Sequence, residues 1–190
     1  MIVCAGRIEQ FDFARPVGIG MIESAITLTQ LCIEEKPEEI LFVGTAGAYG
    51  KYEIFDIVSS HTAANIEQSF FEGNAYSPIS DVLDGISCDD AEKVFSKVSR
   101  ETKNAVIVNS SNYITTNRAL WEHYTARNIY LENMEFFGVL QAAKQCGIPA
   151  SGFFIVTNYC DENAHRNFVK NHQEAMEMLT EYIEKLEIRN

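Results

Sequence analysis

The stretch NIYLENMEFFGVLQAAKQCGIPASGFFIVTN, residues 128–158, decides the fold. Its pattern and punctuation predict a short strand ahead of Met134, then an apolar run over 136–146 long enough for about three helical turns. Gly147 and Pro149 stop that helix, because glycine tolerates the left-handed cap and proline cannot continue the ladder. Residues 150–158 then read as a second, buried strand. Polar pairs sit at both joints: Met134-Glu135 where the first strand gives way to the helix, and Thr157-Asn158 where the second strand ends. Strand ends in α/β folds free backbone donors and side chains for a guest, so the site is expected at these joints.

The 190 residues suffice for one substantial core, and a single domain over 1–190 is expected. With 46% hydrophobic and 22% charged residues and a mean hydropathy of −0.10, the composition is that of an ordinary soluble globular protein. A net charge of −12 and a pI near 4.7 repel phosphate backbones and anionic membranes, so neither nucleic acid nor membrane is an expected partner. Cys4, Cys32, Cys88, Cys146 and Cys160 lack zinc-knuckle spacing and read as reduced thiols of a cytoplasmic protein. No leader pattern or long apolar span is present in the sequence. His61, His123, His165 and His172 show no metal-like pairing, and no metal is expected.

Working outward, residues 1–5 read as a short strand opening on Gly6, followed by a loop that carries Glu9. Gly18-Ile19-Gly20 leads into a helix over 21–33, its glycines serving either tight packing or close approach of a ligand. Residues 40–43 are wholly apolar, as a strand covered on both faces should be. That run breaks on Gly44-Thr45-Ala46-Gly47, small residues suited to a tight turn or to a ligand-lined strand end. Further strands are expected over 52–60 and 104–109, and helices over 89–100 and 117–123. Residues 61–90 read as a surface excursion with a hairpin at Gly73-Asn74. Phe70-Phe71 within it is either a local core cluster or a contribution to a neighbouring subunit. A long helix over 163–188 closes the domain. Alternating helices and apolar strands imply an α/β fold with a twisted, mostly parallel or mixed central sheet flanked by helices on both faces.

In their order and spacing, Gly18-Ile19-Gly20 before a helix, Val43-Gly44-Thr45-Ala46-Gly47, Asp56-Ile57-Val58, Asn133-Met134-Glu135 before a helix and Ile155-Val156-Thr157-Asn158 resemble the nucleoside phosphorylase and nucleosidase superfamily. The pattern is similar in particular to methylthioadenosine/S-adenosylhomocysteine nucleosidases and futalosine hydrolases, and it covers nearly the whole chain. The resemblance implies a phosphorylase/hydrolase-like fold, shortened near the N-terminus, where relatives carry extra strands and only a short loop is expected here. It also implies a homo-oligomer, with a dimer favoured. Glu135 and Met134 match the ribose-binding pair, and a carboxylate suits a vicinal diol because it accepts two hydrogen bonds. A glutamate at a helix start is favoured by the helix dipole as well. Tyr113 and Ile114 match the pair that binds the base. Glu9 lies where nucleosidases place the carboxylate that activates water, or is a solvated loop glutamate. Thr45, Ala46 and Gly47 would line the pocket floor.

Two departures qualify the match. Where nucleosidases end the late strand in Ser-Asp, this chain has Thr157-Asn158, and asparagine donates a hydrogen bond to the departing base without delivering a proton. Futalosine hydrolases and some phosphorylases of the superfamily resemble the chain in using asparagine there. Asp161 is either a substitute acid or a helix cap. The arginines of the nucleosidase and phosphorylase patterns fall on Phe154 and Phe42; Arg7 and Arg15 are substitutes or surface residues. The expected ligand is a purine nucleoside, with its N-glycosidic bond cleaved by water and without a cofactor. Glu9 and Asn158 would act in catalysis, and Asn158 also contacts the base. The rivals are a phosphorylase with phosphate as co-substrate, a nucleoside-binding protein without catalysis, and a structural protein that keeps only the fold.

Overall fold

The computed structural model describes residues 1–85 and 106–188. The helix expected over 89–100 and the first residues of the strand expected over 104–109 lie outside the described residues. In chain order the elements are β1 (Ile2–Cys4), β2 (Arg15–Pro16), α1 (Gly20–Glu35), β3 (Ile40–Ala48), β4 (Ile57–Ser60), β5 (Thr62–Ala64), α2 (Gln68–Phe71), β6 (Val82–Asp84) and β7 (Ile107–Asn109). A 3-10 turn, Arg118–Leu120, then runs into α3 (Trp121–Thr125), followed by β8 (Ile129–Glu132), α4 (Phe136–Gln145), β9 (Ala150–Tyr159) and α5 (Ala164–Ile188).

The two longest apolar runs, β3 and β9, pair in parallel along their whole length at the centre of one sheet. Their alternate residues feed two cores, because successive side chains of a strand point to opposite faces. Phe42, Ala46, Phe154 and Val156 pack with Leu28 of α1 and Val139 and Leu140 of α4. Leu41, Val43, Phe153 and Ile155 pack with Ala175, Leu179 and Ile183 of α5. The sheet is mixed, and helices cover both of its faces. Its order is β2-β1-β3-β8-β7-β5-β6, with β9 on the other edge of β3 and β4 beyond it. Strand β8 runs antiparallel to β3, as do β4 to β9 and β6 to β5, whereas β1–β3, β3–β9, β5–β7 and β7–β8 are parallel.

The strand expected over 52–60 is shorter, at 57–60, because Phe55 takes a left-handed φ of 74° and the Glu53 amide donates to Asp56 Oδ2 in a tight turn. In place of a hairpin at Gly73-Asn74, the chain forms the single turn α2, closed by the Gly73 amide on Phe70 O. Phe70 and Phe71 pack on a local cluster with Tyr124 and Leu120. The loop expected between β1 and α1 contains the two-residue β2, parallel to β1. Among the described residues no helix is long and apolar enough to cross a membrane.

Candidate active site

The cavity forms where the sheet divides. One edge of β3 is shared: β1 pairs with Leu41 and Phe42, and β8 pairs with Gly47 and Ala48. Between them Thr45 has no strand partner on that edge, and buried backbone groups must be satisfied somehow. Two site side chains do this. Glu9 Oε2 accepts from the Thr45 amide at 3.4 Å, and Asn133 Nδ2 donates to Thr45 O at 3.0 Å. The gap opens into a cavity of about 220 Å³, lined by the ends of β1, β3, β8 and β9 and the start of α5.

Glu9 reaches the cavity from a tight turn in which Gly6 and Glu9 exchange backbone hydrogen bonds of 3.2 and 3.0 Å. Its Oε1 accepts a short hydrogen bond from Thr45 Oγ1. Burial pushes its pKa up, and the Thr45 bonds oppose that rise. This half-buried carboxylate is fixed on the cavity floor instead of solvated in a loop.

Glu135 is 3% exposed and stands at the start of α4. It does not cap that helix. Asn133 Oδ1 takes the cap by accepting from the amides of Glu135 and Phe136, both at 3.0 Å. The Glu135 carboxylate reaches across to α1, where its Oε1 accepts from the Gly20 amide at 2.9 Å. Burial raises its pKa to about 7; the Gly20 bond opposes the rise and nearby Glu9 adds to it. The second glycine of Gly18-Ile19-Gly20 thus serves the site by orienting Glu135 from a helix N-terminus.

At the end of β9, Asn158 also lines the cavity. Its Oδ1 accepts from Thr157 Oγ1 at 2.9 Å and its Nδ2 donates to Tyr159 O at 3.1 Å. Opposite lies Gly47, where an added Cβ would come within 2.9 Å of Asn158 Nδ2, so only glycine leaves room for the amide. Thr45, Ala46, Gly47, Met134 and Ile114 all line the cavity. Tyr113 does not; it is 77% exposed. Asp161 is a cap residue, its Oδ1 accepting from the Asn163 amide at 2.8 Å ahead of α5.

The two phenylalanines at the arginine positions are core residues. Phe42, Phe136 and Phe154 form one aromatic cluster, with ring centroids 4.9 to 6.1 Å apart. Arg7 and Arg15 point outward, paired with Glu23 and Glu35. No Lys or Arg is among the described residues that line the cavity. Nor does any group of three His, Cys, Asp or Glu among the described residues have the arrangement of a metal site.

Sequence reasoning missed Glu132, Asn133 as a structural member, His165 and Phe168, all of which line the cavity. The available signal for Glu132 was a carboxylate in the last position of a strand, one residue ahead of the Asn133-Met134-Glu135 motif. Histidine and phenylalanine in the first turns of α5 carried none.

The overall architecture recurs in solved nucleosidases. The Helicobacter pylori 5′-methylthioadenosine/S-adenosylhomocysteine nucleosidase with 5′-methylthioadenosine in its active site superposes with a TM-score of 0.76 at 14% identity, over 100% of this chain and 97% of that one. Native futalosine hydrolase of the same organism gives 0.77 at 14% identity, over 100% and 97%. The Streptococcus pyogenes S-adenosylhomocysteine nucleosidase complexed with 5-methylthiotubericidin gives 0.69 at 20% identity, over 90% of this chain and 75% of that one. No curated protein matches the chain by sequence. The family model described as the phosphorylase superfamily matches residues 2–186, nearly the full length. With that match and the shared architecture, the chain belongs to the phosphorylase superfamily.

Proposed function

We propose that the protein binds a purine nucleoside in this cavity and hydrolyses its N-glycosidic bond. The observation that carries the reading is that Glu9, Glu135 and Asn158, delivered by separate elements, line one cavity. Glu135 holds the ribose hydroxyls, to which a desolvated carboxylate is a strong acceptor. Glu9 takes a proton from water as the water oxygen bonds to C1′ and the bond from C1′ to the base nitrogen breaks. The electron pair of that bond leaves with the base, which Asn158 steadies by hydrogen bonding before it takes up a proton.

Water is favoured over phosphate on electrostatic grounds. A dianion in a dry pocket needs fixed positive charge, and the position of the phosphate-binding arginine in the phosphorylase pattern holds Phe42 of the aromatic core. The test is chromatography of a nucleoside panel with and without phosphate, on the protein and on Glu9→Gln and Glu135→Gln. Free base and free ribose should appear without phosphate, and both variants should release less. Absolute dependence on phosphate with ribose 1-phosphate as product would refute hydrolysis. Ligand binding with no base released over long incubation would identify a binding protein.

A further inference from the structure

Glu132 closes β8 and is 6% exposed, yet it lines the cavity. Its Oε2 accepts from Tyr49 Oη at 2.5 Å and from Thr115 Oγ1 at 2.6 Å. Its Oε1 accepts from the Thr115 amide at 2.8 Å. A carboxylate offers about four acceptor positions, and the hydrogen bonds among the described residues fill three of these. The side chain cannot turn away to fill the fourth. Tyr49 is locked by stacking on Tyr124, with centroids 4.3 Å apart and planes within 16°. Thr115 holds both oxygens at once. Thr115 directly follows Ile114, itself a lining residue, so the open acceptor lies beside the 113–115 loop.

We propose that Glu132 is a specificity-determining residue whose open acceptor position selects a base presenting an N–H donor to the cavity wall beside Thr115. The inference rests on the nucleoside reading of the cavity and names the class of base. A ligand N–H completes the set of hydrogen bonds around a desolvated carboxylate. A base with only lone pairs or C–H groups on that edge leaves the carboxylate unpaired or faces it with repulsion, which is how a polar site rejects an analogue lacking a donor.

Calorimetric binding of adenosine, inosine and purine riboside tests this, because the first two carry an N–H on the six-membered ring edge and the third carries none. Wild type should bind the better donor-bearing riboside at least about tenfold more tightly than purine riboside. Glu132→Leu should bring that ratio within about threefold of unity, while Glu132→Gln, which keeps one oxygen acceptor, should retain part of the preference. If Glu132→Leu does not fold, as a thermal melt would show, the ratio for Glu132→Gln against that for wild type decides, and an unchanged ratio overturns the role of Glu132. Equal wild-type affinity for all three ribosides overturns the role of Glu132 and leaves the nucleoside reading standing. Failure of wild type to bind any of them overturns the nucleoside reading itself, and this inference with it.

Discussion

At the β8–α4 end of the cavity, Glu135 is buried and held by a helix N-terminal amide, and its pKa is driven up to about 7. At the end of β9, Asn158 is almost as buried but neutral, and both functional atoms of its amide are engaged by its sequence neighbours Thr157 and Tyr159. The first joint stores desolvated charge, while the second offers a directed dipole. Charge next to the sugar favours development of positive character there, whereas a dipole at the base assists departure less than an acid would. On the proposed function, the sugar side should supply more of the rate than the base side.

The strongest way to break that contrast is to remove the carboxylate proposed to activate water. Glu9→Gln keeps an oxygen for the Thr45 contacts and loses the proton acceptor, so turnover should fall by about 10²- to 10⁴-fold. A change under about threefold in single-turnover assays would show that the carboxylate does not activate water. Next in size is an effect on stability. Since the pKa of Glu135 is raised from an ordinary 4.5 to about 7, the folded state holds the proton more tightly than the unfolded chain. Its stabilising contribution is therefore complete below about 4.5 and lost as pH rises through about 7. Glu135→Gln, which cannot ionise, should be more stable than wild type by roughly 3 kcal/mol at pH 8 and equal to it near pH 4. Thermal melts at the two pH values decide; a variant less stable at pH 8 would contradict the burial argument. The smallest effect sharpens the other joint. Asn158→Asp supplies an acid to the leaving base and should raise turnover by about tenfold below pH 6. No gain there would mean that departure of the base is not limited by protonation.

Much of the fold was legible in the sequence because its central strands are continuous apolar runs. Residues 40–43 and 150–158 admit few alternatives once Gly147 and Pro149 separate helix from strand. The site was legible in pieces: Glu9, Glu135, Asn158 and the Thr45-Ala46-Gly47 floor converge on one cavity. The reason for their convergence was not legible, since it lies in the splitting of one β3 edge between β1 and β8, which is a matter of register. Glu132 is hidden in the sequence for a related reason. A glutamate at a strand end reads as solvated until Tyr49 and Thr115, distant in sequence, are seen to enclose it. Tyr113 shows the converse, an aromatic beside the motif whose ring the loop turns outward. In the sequence Phe42 and Phe154 stand out only as missing cations; their positive role, as two thirds of an aromatic cluster with Phe136, depends on contacts across the sheet.

The three side-chain hydrogen bonds of Asn133 join the cavity floor to its wall, one to Thr45 O of β3 and two from the amides of Glu135 and Phe136 at the start of α4. A single planar amide thereby couples the rotation of α4 to the position of the floor, so the two cannot drift independently. Little conformational entropy is left for a ligand to remove at this end. A ligand that binds at this end would meet a preorganised wall and floor, so little of its binding free energy would go into local reordering.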